Sequence, residues 1–102
     1  MTVTELHERC ARGDCPLLLD VRTPEEWAIC RLDGARLLPL HTLPAHLGEL
    51  DKNAEIVVYC HTGKRSAIAA AFLQREGFVR ACSLVGGVAA WAAEIDPAMP
   101  QY

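Results

Sequence analysis

Apolar residues alternate along this chain between short continuous runs and longer, helix-forming stretches. Leu17-Leu18-Leu19-Asp20-Val21, Ile56-Val57-Val58-Tyr59 and Ala81-Cys82-Ser83-Leu84-Val85 are the clearest runs. Runs of this length without polar alternation mark strands covered on both faces, as in a parallel sheet. Arg36-Leu37-Leu38 predicts one more short strand after the first.

The intervening segments carry helix signals. Thr2-x-x-Glu5 matches a capping box and predicts a helix from about residue 4 to Ala11, ended by Gly13-Asp14. Thr23-Pro24-Glu25-Glu26 predicts another, with Thr as N-cap and Pro at the first position. It is expected to run to about Cys30 and to bury Trp27. His41-Thr42-Leu43-Pro44 opens a third, ending near Leu50 before the turn Asp51-Lys52-Asn53. The main helix follows Cys60 and runs to Glu76, with Gly77 as its stop. Gly86-Gly87 breaks the last strand, and Val88 to Glu94 forms a short helix. Ile95 to Tyr102 contains two prolines and is expected to be a tail laid on the surface.

Strands that alternate with helices indicate an α/β fold built on a parallel sheet. A chain of 102 residues, 51% hydrophobic, forms one domain over residues 1–102 with a single core. The net charge of −3 argues against a general nucleic-acid binder. The amino terminus lacks the basic-then-apolar pattern of a secretory signal. No apolar run approaches the ~18 residues of a membrane span.

Five cysteines stand at 10, 15, 30, 60 and 82, an odd number with no Cys-x-x-Cys pair. This is a poor disulfide framework and a poor zinc site, and it fits a reducing, cytoplasmic setting. Nothing in the spacing of Cys10, Cys15 and Cys30 calls for a sulfur relay. Cys82, Trp27 and Trp91 are read as packing residues. His7, His41 and His46 lack ligand spacing, so neither a metal nor a cofactor is assigned.

The chemistry concentrates in Cys60-His61-Thr62-Gly63-Lys64-Arg65-Ser66. A thiol at the carboxyl end of a buried strand, just before a helix, meets unpaired backbone N–H groups and the positive end of a helix dipole. Cysteines so placed have pKa values lowered to about 3.5–7.5. Gly63 permits a tight turn, and Lys64 and Arg65 add positive charge. The stretch is no phosphate-binding P-loop: position 58 is Val where that motif needs Gly, and position 65 is Arg where it needs Ser or Thr.

Cys-x-x-Gly-x-Arg-Ser after Val57-Val58-Tyr59 resembles the active-site loop of the rhodanese family of sulfurtransferases. Leu18-Leu19-Asp20-Val21-Arg22 with Glu25-Glu26-Trp27 resembles that family's first signature. Gly86-Gly87 followed by Trp91 resembles its closing motif. Leu32-Asp33 departs from the family's frequent Ile-Pro before the shared Gly34-Ala35. The resemblance implies a three-layer fold, with a central parallel sheet of four or five strands and helices on both faces. The first and third strands are then central neighbours, with the second and fourth outside them. Ligands bind where winding reverses between such strands, beyond their carboxyl ends. Asp20-Val21-Arg22 and Cys60 lie at those ends.

The resemblance assigns Cys60 the role of sulfur carrier, in a persulfide formed from thiosulfate or a persulfide donor. His61, Thr62, Gly63, Lys64, Arg65 and Ser66 form the substrate-binding loop, and Asp20 and Arg22 support it. Arg65 is expected to organise the loop, paired with Asp20. Arg22 is expected to pair with Glu26. Ser66 either bonds a loop anion or caps the helix, with capping expected. His61 and Lys64 could meet the donor or a protein partner, and His61 could instead face solvent. The string Cys60–Ser66 also resembles rhodanese domains fused to enzymes that activate ubiquitin-like sulfur carriers, which makes a protein donor or acceptor a further expectation. Two other readings share the fold: an oxyanion enzyme, such as a phosphatase or arsenate reductase, and a non-catalytic regulatory module.

Overall fold

Four strands form one parallel sheet in the order β2-β1-β3-β4. They are β1 (Leu17–Asp20), β2 (Arg36–Leu37), β3 (Ile56–Tyr59) and β4 (Ala81–Ser83). The structure is a computed structural model that describes residues 1–102. The two central strands are those the resemblance implies. Leu17 lies opposite Ile56 and Asp20 opposite Tyr59, so β1 and β3 end level with each other. The residues that follow, Val21-Arg22 and Cys60, therefore leave the sheet side by side.

Strand alternation sends the apolar runs to opposite faces of the sheet, so the single core expected from length and composition is divided into two clusters. Leu19, Ile56, Val58 and Ala81 pack with Leu43, Ala69, Ala70, Leu73 and Phe78. Leu18, Val57 and Tyr59 pack on the other face with Val3, Leu6, Leu32, Leu84 and Val88. The helix α3 (Lys64–Arg75) covers the first face, and α1 (Val3–Ala11) and α4 (Gly87–Glu94) cover the second. The result is the expected three layers. Each fully buried Leu or Phe contributes about 1.5–3 kcal/mol of transfer free energy, and both cores include several such side chains.

Of the two capping boxes read from the sequence, the first forms only its threonine half and the second forms completely. Thr2 Oγ1 accepts from Glu5 N at 3.1 Å. Thr23 and Glu26 form a full capping box at the start of α2 (Pro24–Ile29). Phe78 N donates to Leu73 O at 2.9 Å, which closes α3 at the expected glycine.

Four expectations need correction. The segment Leu40–Glu49 is a 3-10 helix, not an α-helix. Pro44 lies inside it, has no N–H to donate, and its ring would clash with the carbonyl four residues back in an α-helix, which disfavours α winding there. Helix α2 buries none of its residues, and Trp27 is only half-buried. The Arg31 guanidinium lies 4.7 Å from its ring centroid, so the indole lies under a cation instead of in the core. Trp91 is likewise only partly buried, packed against the second core with His7 edge-on to it. Finally, Cys10 and Cys15 form a disulfide. After α1 the chain folds back, with Gly13 N bonded to Cys10 O and Asp14 N to Arg9 O, and this return brings the two Cα atoms to 4.1 Å. Cys30, Cys60 and Cys82 are free. The pairing removes the ground on which the cysteine count pointed to a reducing compartment. No helix is long and apolar enough to cross a membrane.

Candidate functional site

Cys60 follows the last residue of β3 and is almost fully buried, at 1% exposure. The loop beyond it turns back on the sulfur. Gly63 N donates to Cys60 Sγ at 3.1 Å and Ser66 N at 3.4 Å. Ser66 Oγ lies 3.5 Å from the same sulfur. Gly63 has φ +115° and stands at the N-cap of α3 with no capping side chain. Only this left-handed backbone lets the chain pass from the sulfur straight into the helix, and Gly adopts it without a Cβ penalty. Thr62 and Lys64 of the same loop are exposed.

The other side of the loop is held by α4. Val88 N donates to Cys60 O and Ala89 N to His61 O, each at 2.9 Å. These carbonyls are drawn to the free N–H groups of a helix start. The loop's own N–H groups are thereby left to face the sulfur. A Cβ on Gly87 would lie 2.5 Å from Cys60 O and 2.6 Å from His61 O, so the approach requires glycine. The sequence motif Gly86-Gly87 marks this anchor as well as the end of a strand.

Burial pushes the Cys60 thiol up. The Ser66 hydroxyl and the N–H groups of Ser66, Gly63 and Thr62 outweigh burial, and the net pKa lies below that of an ordinary cysteine. The geometry therefore offers a nucleophilic sulfur inside a ring of backbone donors.

The expected ion pairs exchange partners. Arg65 bonds Glu26 in a bidentate fork, Nη1 to Oε1 at 2.6 Å and Nη2 to Oε2 at 2.9 Å. Arg22 bonds Asp20, with Nε to Oδ1 at 2.9 Å and Nη2 to Oδ2 at 2.7 Å. Asp20 and Arg22 are both fully buried and pair locally, and Arg22 Nη2 also donates to the Cys30 carbonyl. Asp20 has no acceptor left to reach Arg65, whereas Glu26 projects from the first turn of α2 toward it. Arg65 holds the Glu26 carboxyl well below the usual carboxylate range, despite an opposing contribution from burial. Ser66 does not cap the helix. Its hydroxyl lies within bonding distance of Gly63 O at 3.2 Å and of Ser83 Oγ at 2.7 Å, and it faces the thiol.

The tail also comes to the site. The Tyr102 ring stacks on His61 with centroids 4.0 Å apart and planes 14° from parallel. Its hydroxyl accepts from Arg22 Nη1 at 2.8 Å and donates to Glu26 Oε2 at 2.5 Å. Burial, together with the bond to Glu26, pushes the phenol up to about 12. His61 thus rests against Tyr102 and does not face open solvent. Ser83 and Tyr102 are the site-region residues that sequence reasoning missed. Glu26 is expected beside the site with Arg22 as its partner, and the structure pairs it with Arg65 instead. Ser83 and Tyr102 arrive from β4 and the tail, which only tertiary packing brings near Cys60.

The rhodanese-like domain family model matches residues 2–94. A protein described as a sulfurtransferase from Allochromatium vinosum is 40% identical over 87 residues, which covers 85% of this chain and 81% of the relative. A "Probable adenylyltransferase/sulfurtransferase MoeZ" of Mycobacterium tuberculosis is 39% identical over the whole of this chain, which spans 26% of that longer protein. Among solved structures, SSP1007 from Staphylococcus saprophyticus superposes with a TM-score of 0.85 at 32% identity, covering 93% of this chain and 94% of that one. The human single-domain sulfurtransferase TSTD1 superposes with a TM-score of 0.85 at 25% identity, covering 92% and 95%.

Proposed function

This chain belongs to the rhodanese-like domain family, and from that premise we propose that it transfers sulfane sulfur through a persulfide on Cys60. The single observation that carries the reading is the set of donors from Gly63 and Ser66 on Cys60 Sγ. Fixed donors aimed at one atom stabilise charge there without reorganisation at the moment of reaction.

In the first half-reaction the Cys60 thiolate attacks the outer sulfur of thiosulfate. A new S–S bond forms to Cys60, the S–S bond of thiosulfate breaks, and sulfite leaves with the electron pair. The negative charge of the thiolate passes to the outer persulfide sulfur, which lies toward the loop's N–H groups. In the second half-reaction a thiophilic acceptor, such as cyanide, bonds the outer sulfur and returns the thiolate. No group need protonate sulfite, a stable anion, so a general acid is dispensable. A persulfide donor enters the same cycle with a thiolate as leaving group.

Two features favour this over oxyanion chemistry. Four residues separate Cys60 from Arg65, one fewer than the loop of cysteine phosphatases generally carries. Arg65 directs both arms of its fork to Glu26, so it is not free to bracket a phosphoryl group. The near-complete burial of Cys60 suits a slim donor. His61, Thr62, Lys64 and the rim of the loop are the surface a donor meets, and relatives described as sulfurtransferase or sulfur carrier make a protein partner part of the proposal.

The test is to incubate the protein with thiosulfate or a small persulfide and weigh it intact. One added sulfur atom is expected, absent in Cys60→Ser. Robust aryl-phosphatase turnover, with no sulfur gained from either donor, would overturn the reading.

A further inference from the structure

The Ser66 hydroxyl is fully buried and has more neighbours than its single proton can serve. Two acceptors lie within its reach, Gly63 O at 3.2 Å and Cys60 Sγ at 3.5 Å. Ser83 Oγ lies closest of all, at 2.7 Å. Ser83 stands in β4 opposite Val58 of β3, two residues before Cys60, and no other side-chain bond engages its hydroxyl.

Protonation of Cys60 decides how this chain of hydroxyls can be arranged. In the thiol form Cys60 S–H donates to Ser66 Oγ, and the Ser66 proton is free to go to Gly63 O. In the thiolate form that donor is gone. The Ser66 proton turns to the sulfur, and the fully buried Ser66 Oγ is left needing a donor. The half-buried Ser83 hydroxyl, at 2.7 Å, is the side-chain donor within reach.

We propose that Ser83 is a positioning residue: it donates to Ser66 Oγ and thereby holds the Ser66 proton on Cys60 Sγ when the sulfur is anionic. The proposal rests on the reading of Cys60 as the reacting sulfur. Chained hydrogen bonds polarise one another, so the outer hydroxyl strengthens the inner bond to the anion. The lowered Cys60 pKa, with the Ser66 hydroxyl foremost among the effects that lower it, agrees with this arrangement. The charged groups around the loop are Lys64 and Arg65 from α3, Glu26 from α2, the buried Asp20–Arg22 pair and the Met1 ammonium, which donates to the backbone carbonyl of Ser83 at 3.1 Å, with His61 and the Tyr102 phenol as the other titratable neighbours. β4 contributes no charged side chain, nor does the start of α4. Substituting Ser83 leaves all of these in place.

The experiment follows the alkylation rate of Cys60 by iodoacetamide against pH, read by mass on the Cys60 peptide. Ser83→Ala is expected to raise the midpoint by about 0.5–1 pH unit. Ser83→Thr restores the hydroxyl and is expected to return the midpoint to the parent value. Ser83→Val has nearly the same shape without the hydroxyl and is expected to keep the shift. Ser66→Ala is expected to shift at least as far, and Ser66→Ala with Ser83→Ala no further than Ser66→Ala alone. A parent-like midpoint in folded Ser83→Ala or Ser83→Val overturns the proposal, as does a double variant whose shift is the sum of the two. Alkylation needs no sulfur donor, so the test is independent of sulfur loading. A parent that shows these shifts yet gains no sulfur from thiosulfate or a persulfide overturns the sulfur-transfer reading and leaves the Ser83 relay supported.

Discussion

Arg65 and Glu26 join the start of α3 to the start of α2 through two parallel hydrogen bonds of 2.6 and 2.9 Å. Arg65 lies in the loop that surrounds Cys60, and Glu26 lies in the capping box of the helix that follows β1. The pair therefore ties the two strand ends that form the site. Arginine suits this role because its planar fork matches a carboxylate, and both partners are largely shielded on one side.

Glu26→Gln keeps the shape and removes the charge. It is expected to destabilise the fold by about 1–2 kcal/mol, a modest figure because Arg65 is partly exposed. Sulfur transfer is expected to fall roughly tenfold as the loop loosens. Because the folded Glu26 pKa lies below its ordinary value of 4.5, its contribution to stability is fully present above pH 4.5 and lost as pH falls through the lowered value. Urea unfolding at pH 7 and in mild acid checks this: the gap between parent and variant should close only as the pH falls below 4.5.

Asp20→Ala leaves the fully buried Arg22 without its carboxylate. Breaking such a pair is expected to cost about 3–5 kcal/mol. Arg22→Met added to Asp20→Ala is expected to recover part of this, since it removes the stranded charge. Denaturation midpoints of the single and double variants decide the matter, and a double variant no more stable than the single would show that the buried charge is not the cause.

Gly87→Ala sets a Cβ 2.5 Å from Cys60 O, against backbone that cannot turn aside. The loop must detach from α4, and the donors around the sulfur lose their aim. Persulfide formation is expected to fall by on the order of 10²-fold. Gly48→Ala is the control, because a Cβ there meets nothing within 4 Å. It is expected to change stability by less than about 0.5 kcal/mol and to leave activity intact.

The pH dependence of Cys60 follows from its depressed pKa. The reacting form is the thiolate, so reactivity is complete at high pH and is lost as pH falls through the folded value. An ordinary thiol, with a pKa of 9.0, has already lost most of its thiolate at pH 7.5. Cys60 alkylation is therefore expected to persist to lower pH than that of a small free thiol such as N-acetylcysteine in the same solution. Parallel pH profiles for the Cys60 peptide and the free thiol would contradict the donor ring as the source of reactivity.

Local signals carried much of this structure. The uninterrupted runs Leu17–Val21 and Ile56–Tyr59 announce strands buried on both faces, because only such strands have no polar side to show. Thr2, Thr23 and Gly77 mark helix ends through bonds that span three or four residues. The position of Cys60 between a strand and a helix is likewise a local fact, and it predicts a thiol among free N–H groups before any contact is known. The family resemblance then supplied the strand order, which composition alone leaves open.

What local pattern could not decide are choices between equivalent partners. Arg22 and Arg65 each had two carboxylates to choose from, Asp20 and Glu26, and sequence distance favours neither assignment. Burial settled it: Asp20 and Arg22 close on each other within β1's end, and only Glu26 remains at reach for Arg65. The Cys10–Cys15 bond depends on how the chain turns after α1. Ser83 and Tyr102 meet the Cys60 loop from far along the chain, through packing of β4 and the tail. Backbone bonds and short-range sterics act within a few residues, so the elements and the placing of Cys60 in a strand-to-helix loop were legible along the chain. Tertiary structure alone decided which charges pair and which distant hydroxyls reach the sulfur, because those are settled by competition in three dimensions for buried, water-free partners.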